Sequence, residues 1–150
     1  MPEVIHFYNV GELYGEFSNF APFPIKLDGK VWPTSEHYFQ AMKFVGTEHE
    51  EAIRLEPSPM KIARMGRSRK LPLRTDWETV KDKIMQTAVQ AKVNQHPELE
   101  KLLRETGQAT IVEHTENDAY WGDGGDGSGK NMLGQILMRI RDHLSDKAGR

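Results

Sequence analysis

The stretch Pro24-Ile25-Lys26-Leu27-Asp28-Gly29-Lys30-Val31-Trp32-Pro33-Thr34-Ser35-Glu36-His37-Tyr38-Phe39-Gln40-Ala41-Met42-Lys43-Phe44 decides the fold class, because its period changes in the middle. Up to Trp32 apolar and polar residues alternate around Asp28-Gly29, a dipeptide suited to a two-residue hairpin turn in which both positions take positive φ. From Pro33-Thr34-Ser35, which offers helix N-caps, the pattern becomes helical through Val45 and is closed by Gly46. A hairpin running into a helix implies an α+β protein.

Working outward, Val4-Ile5-His6-Phe7-Tyr8 is rich in strand formers, and Asn9 to Gly15 ends it. After Gly46, Thr47 with Glu50 forms a capping-box pattern, and Ser58-Pro59 is a helix start that carries through Met65. Thr75 with Glu78 opens a longer helix in which Trp77, Val80, Ile84, Ala88 and Ala91 follow helical spacing. His96-Pro97 begins another that Gly107 ends, and Thr110-Ile111-Val112 reads as a buried strand. A glycine-rich loop from Trp121 to Gly129 leads into a last amphipathic helix, Asn131 to Leu144, with Lys147 to Arg150 expected to fray. The expectation is one mainly helical α+β domain over 1–150 with a small β-sheet that includes the N-terminal hairpin.

Composition narrows the function classes. The chain has 150 residues, 37% hydrophobic and 28% charged, which is the composition of a globular domain. A formal net charge of −2 provides no bulk attraction to nucleic acid or to a membrane surface. Absence of cysteine removes disulfides, thiolate metal sites and cysteine nucleophiles together. The start, Met1-Pro2-Glu3-Val4, has no signal-peptide character, and no apolar run approaches the ~20 residues of a membrane span. The expected location is the cytoplasm.

On the helix that begins at Ser35, Glu36, Gln40 and Lys43 fall in one stripe at 100° per residue. A carboxylate, an amide and an amine then project together from one rigid element and can orient a sugar; the bland alternative is a solvated polar face with a weak ion pair. The loop Asn117-Asp118-Ala119-Tyr120-Trp121-Gly122-Asp123-Gly124-Gly125-Asp126-Gly127-Ser128-Gly129-Lys130-Asn131 suggests exposed backbone N–H groups at a helix start, a suitable seat for phosphate. Gly124, Gly129 and Lys130 satisfy G-x-x-x-x-G-K, but Asn131 replaces the magnesium-holding Ser/Thr and no apolar strand immediately precedes, so a nucleoside-triphosphatase is excluded. Gly125 breaks the ligand alternation of a calcium loop, the histidines show no H-x-x-x-H spacing, and no metal site is expected. Among the basic residues Lys61, Arg64, Arg67, Arg69, Lys70 and Arg74, one or more can clamp a phosphate. Trp32 and Trp77 taken singly are core candidates, and His114 and Glu116 at the strand exit fit structure or function equally.

Together these segments resemble the YbiA-like, or NADAR, family over nearly the whole chain. The resemblance is carried by Gly15-Glu16-Phe17-Ser18-Asn19-Phe20, Trp32 to Ala41, Lys43-Phe44, Ser58-Pro59-Met60, Ala63 to Arg67, Arg74, Asp76-Trp77-Glu78, Glu113 to Gly124 and Gly129 to Gly134, all in the expected order. It implies an N-glycosidase without metal or organic cofactor, acting on ribosylamino-pyrimidine 5′-phosphate intermediates of riboflavin biosynthesis. The same resemblance allows removal of ADP-ribose from guanine in DNA; a catalytically silent ADP-ribose or nucleotide reader is the third reading, and binding alone would not require Glu36, Lys43 and Asp118 together. Under the resemblance Glu36 is the leading catalytic carboxylate, Lys43 its neighbour and Asp118 a second acid. Phe17 and Asn19 line the ribose, Trp77 and Trp121 stack or line the pocket, and Gln40 and Arg67 bind substrate. Gly122, Asp123, Gly129, Lys130 and Asn131 form the phosphate cradle. Two routes follow: hydrolysis through an oxocarbenium-like ribose over Glu36, or capture of the opened sugar by Lys43 as a Schiff base.

Overall fold

A computed structural model describes residues 3–148, with side chains described for residues 3–144. The described chain groups into two compact units, Pro22–Gln95 and a discontinuous one built from Met1–Ala21 with His96–Arg150. Because the second unit takes both ends of the chain, no linker composition marks it in the sequence. The architecture is α+β.

In Pro22–Gln95 the hairpin forms as its turn chemistry dictates. Strands β2 (Ile25–Leu27) and β3 (Lys30–Trp32) pair antiparallel, Ile25 opposite Trp32, with Asp28 at φ 57° and Gly29 at φ 76°. Tyr38 donates its hydroxyl proton to Asp28 Oδ2 at 3.1 Å, and Trp32, fully buried, donates from Nε1 to Leu27 O at 3.1 Å. Burial, and then the Asp28 carboxylate, push the Tyr38 phenol up to about 12. The outer edge of β2 is closed by Gln95, whose amide accepts from Lys26 N at 2.8 Å and donates to Lys26 O at 2.9 Å.

Helix α1 (Ser35–Met42) is capped by Thr34, whose hydroxyl accepts from His37 N, and every residue of it is buried. It is surrounded by α2 (Glu48–Leu55), α3 (Pro59–Arg67), α4 (Trp77–Gln95) and β3. It stops at Met42 rather than Val45, because Arg74 takes over its end: Arg74 N donates to Lys43 O and Arg74 Nη1 to Met42 O. The capping box of α2 is rearranged. Thr47 accepts from His49 N, and the Glu50 carboxylate reaches back to Gly46 N rather than to Thr47 N. Ser58 caps α3 through Lys61 N, and that helix runs two residues past Met65. In α4 the buried face is Trp77, Met85, Ala88, Val89, Ala91, Lys92 and Val93, leaving Val80 and Ile84 half-buried; the Lys92 ammonium lies 5.5 Å from the Phe23 ring centroid.

In the other unit β1 (Val4–Phe7) pairs parallel with β4 (Thr110–Glu113), Ile5 beside Ile111. Only Ile111 of β4 is fully buried, so the strand is half rather than wholly enclosed. Helix α5 (Pro97–Glu105) ends at Gly107, φ 62°, and α6 (Met132–Ala148) packs on β4. Its backbone carries through Ala148, leaving Gly149 and Arg150 of the expected frayed tail outside the described residues. Arg141, buried, donates from Nη1 to Thr106 Oγ1 (2.9 Å) and Ala109 O (2.7 Å), tying α6 to the turn before β4. At the head of α6, Asn131 adopts φ 52° and acts as a strap: its Oδ1 accepts from Glu113 N and its Nδ2 donates to Ile111 O, both at 2.9 Å. Asn131→Ala strands both β4 groups and is expected to lower unfolding free energy by about 2 kcal/mol, measured by urea denaturation.

Candidate active site

The stripe on α1 is real but it is not a solvated face. Glu36 and Gln40 are buried, and Gln40 Nε2 donates to Glu36 Oε2 at 2.6 Å. A carboxylate enclosed in protein requires such partners, since an unpaired one would be costly to desolvate. Gln40, expected from the sequence to bind substrate, is thereby engaged with the Glu36 carboxylate. Its Oε1 is buried without a hydrogen-bond partner and lies against Gly66 of α3, where a Cβ would fall inside the Gln40 amide. Gly66 is a close-approach position that sequence reasoning missed. Its only signal is a glycine in a helix interior, which usually marks a close packing contact.

Lys43, at the end of α1, reaches back over this contact. Its Nζ donates to Gly66 O at 3.1 Å and sits 5.7 Å from the Phe39 ring centroid and 5.6 Å from that of Trp77. The two rings pack at 5.1 Å, and Trp77 is buried, as a core residue is. Burial lowers the Lys43 pKa; Glu36 raises it, Arg67 lowers it, and Glu78 and Lys81 act in opposite senses more weakly. Glu36, Gln40, Lys43, Trp77 and the charge of Arg67 therefore converge as the sequence expected, with Phe39 and Gly66 added. Arg74 does not join them as a phosphate clamp: it caps α1 and pairs through Nε and Nη2 with both oxygens of Asp76, at 2.6 and 3.0 Å. His37 is structural. Its Nε2 must donate to Glu56 O (2.6 Å), so its Nδ1 accepts from the Thr34 hydroxyl (2.7 Å), and burial lowers its pKa in keeping with a neutral ring.

The glycine-rich loop departs from expectation. Its backbone N–H groups do not wait for a phosphate. Lys130, Asn131, Met132 and Leu133 donate to the carbonyls of Ala119, Gly122, Tyr120 and Trp121, and Gly124 and Gly129 donate to Asp118 O and Asp123 O. Gly122 and Gly129 let one loop segment approach another: a Cβ on Gly129 would stand 2.5 Å from Gly122 O, and one on Gly122 2.7 Å from the Thr115 methyl. The backbone rationale for a cradle thus fails, because these groups answer one another. The side chain of Asn131 is likewise committed to β4. Asp123 is buried, with Oδ1 accepting from Thr115 N and Gly125 N and Oδ2 2.7 Å from His114 Nδ1. Burial raises its pKa, but the hydrogen bonds from His114, Gly125 and Thr115 outweigh it and hold the carboxyl at about 2. Asp118 organises the turn ahead of it, its Oδ1 accepting from Tyr120 N and Trp121 N, both 2.9 Å.

Of the other candidates in that unit, Lys130 is exposed with its Nζ 5.4 Å from the Tyr120 ring centroid, and Trp121 is half-buried against Tyr120. Phe17, expected to line the ribose, is 1% exposed, stacked on Tyr14 and edge-on to Phe7, and packs in the core of this unit. Asn19 is also buried.

Comparison with known proteins agrees with this chemistry. A profile of the NADAR domain matches residues 6–145. The N-glycosidase YbiA of Escherichia coli is 58% identical over 142 residues, spanning 95% of this chain and 89% of that protein. An N-glycosidase of Nostoc punctiforme is 40% identical over 93% of this chain and 92% of its own length. A riboflavin biosynthesis protein of Vibrio vulnificus is 38% identical over 99% of this chain, which spans 40% of that protein. The NMR structure of E. coli YbiA superposes with a TM-score of 0.90 at 56% identity, covering 99% of this chain and 89% of that one. No helix among the described residues is long and apolar enough to cross a membrane. The chain belongs to the NADAR domain family, and it is an enzyme of the N-glycosidase class.

Proposed function

We propose that the chain hydrolyses the ribose–base bond of ribosylamino-pyrimidine 5′-phosphates, intermediates of riboflavin biosynthesis, giving ribose 5-phosphate and the free base. One observation carries the reading: a lysine amine with a lowered pKa, caged by Phe39 and Trp77, within electrostatic reach of the buried carboxylate of Glu36. The name of the Vibrio relative supports the substrate class.

A lowered pKa keeps more of the amine unprotonated near neutrality, which favours the Schiff-base route over direct hydrolysis. The ribosylamine opens to an imine, and Lys43 Nζ adds to C1. The C1–N bond to the base then breaks, its electron pair leaving on the base nitrogen, which takes up a proton, and the sugar remains as an imine of Lys43. Water adds to C1, the C1–Nζ bond breaks, and open-chain ribose 5-phosphate departs. Glu36 accepts and returns the protons that move between the nitrogen and oxygen atoms bonded to C1, held in place by Gln40. Arg67, exposed at the end of α3 and close enough to perturb Lys43, is suited to the sugar phosphate.

Incubation of purified protein with such a substrate should release ribose 5-phosphate, seen by mass spectrometry, and borohydride should fix a ribosyl phosphate adduct on the Lys43 peptide. Intact substrate over wild type and Glu36→Gln alike would defeat the reading. Release of ADP-ribose from ADP-ribosylated DNA, with no ribose 5-phosphate formed from the ribosylamines, would move the substrate to nucleic acid.

A further inference from the structure

The β1–β4 ribbon carries on one face a side-chain cluster for which glycosidic cleavage has no use. In β1 Ile5 and Phe7 are buried, while His6 between them is exposed on the other side. The register sets His6 beside Val112, and side chains alternate along a strand, so residue 114 follows on the same face. His114 N donates to Phe7 O at 2.9 Å, which extends the pairing to that residue. Its imidazole meets that of His6 nearly edge-on, ring centroids 5.0 Å apart. Asp123 arrives from the loop by donating its N–H to Glu113 O at 2.9 Å, and its Oδ2 lies 2.7 Å from His114 Nδ1. One ligand atom from each of the three residues lies within 4.8 Å of the others, the one such group of His, Cys, Asp and Glu among the described residues.

We propose that His6, His114 and Asp123 form a binding site for one divalent transition-metal ion of the zinc type. Two imidazoles and one carboxylate without thiolate match Zn²⁺, Ni²⁺ or Cu²⁺; Ca²⁺ and Mg²⁺ require oxygen-rich shells. Ligands on one tetrahedral zinc, each ~2.1 Å from it, stand roughly 3.4 Å apart. Side-chain rotation brings a group within 4.8 Å to that spacing, the 2.7 Å His114–Asp123 pair opening as its shared proton leaves, and both imidazoles are exposed and able to turn. Asp123 is the fixed member. Its Oδ1 is held by two backbone N–H groups, so Oδ2 stays in place while the ion takes the position of the proton shared with His114. The remaining coordination positions face solvent and accept water or an external anion. The ion fastens β1 to the loop that follows β4, which adds to the stability of this unit. The sequence hides the site because 107 residues separate His6 from His114, a count from their two numbers. No linear spacing anticipates a register.

The untagged full chain, stripped with chelator and titrated with zinc chloride by calorimetry, should bind one ion per chain with a micromolar Kd. His6→Ala should weaken it at least about tenfold and abolish the zinc-dependent rise in melting temperature, whereas His96→Ala and His143→Ala should leave both unchanged. His6 is the deciding position because it is exposed, while His114 and Asp123 also organise the loop; circular dichroism of His6→Ala and His6→Asn checks the fold. Cobalt should give the visible absorption of a tetrahedral or five-coordinate site, absent in His6→Ala. Saturable binding unchanged by loss of His6, or no saturable binding below about 1 mM, overturns the proposal.

Discussion

Lys43→Met should lower kcat by at least about 10³-fold while leaving the melting temperature within a few degrees of wild type. The activity falls because methionine fills the Phe39–Trp77 cage but cannot attack C1. Stability survives because two effects oppose each other. The variant loses the bond to Gly66 O, and it also removes a cation that burial disfavours. The sign of the pH dependence follows from the direction of the shift. An unfolded lysine titrates near 10.4, and the folded one titrates lower. Between those values the folded chain has shed a proton that the unfolded chain keeps, so stability of wild type rises with pH relative to Lys43→Met. Below the folded pKa the two curves run parallel. The same titration shapes catalysis: kcat should climb with pH as the amine deprotonates, and level off below the ordinary lysine range. Lys43→Arg, permanently protonated, should be as inactive as the methionine variant. Retention of a tenth or more of wild-type kcat by Lys43→Met would remove the amine from the chemistry and leave Glu36 to act through the oxocarbenium route.

Gly66→Ala should also be damaging, though glycine has no side chain with which to touch substrate. The added methyl occupies the space of the Gln40 amide, so Gln40 must swing away or α3 must retreat from α1. Overpacking of this kind costs about 1–3 kcal/mol. The larger consequence is for Glu36, which loses its 2.6 Å partner, and kcat should drop by about 10- to 100-fold with little change in KM. Gln40→Ala in the same chain makes room for the methyl. The double variant should then be more stable than the sum of the single changes, an interaction readable in a double-mutant cycle. Additive losses would mean that the two side chains do not compete for one space.

How much of this was visible in the sequence depends on the range of each interaction. The hairpin was legible because Asp28-Gly29 carries its own geometry in two residues, and both adopt the positive φ that the turn demands. The helix starts at Thr34, Ser58 and His96 were legible for the same reason. Glu36, Gln40 and Lys43 were placed together correctly by the helical period alone. That period says nothing of what covers the stripe, and α3 and α4 turn a polar face into an interior one. The loop was misread where long-range pairing decides. Five glycines beside a helix start suggest unclaimed N–H groups, yet the carbonyls of residues 119–122 meet those at residues 130–133, a match that leaves no periodic trace. The packing of Phe17 was not legible because its surroundings, Phe7 and Tyr14, are joined to it by a fold-specific turn and not by any pattern.

The amide of Gln95, folded over the backbone of Lys26, has a bearing on behaviour in concentrated solution. A short exposed strand presents a template on which a neighbouring chain can lay down its own backbone. With both main-chain groups of Lys26 already occupied, a second molecule approaching β2 finds no partner at its central residue. One glutamine in the last turn of α4 thus withholds that residue from intermolecular strand pairing.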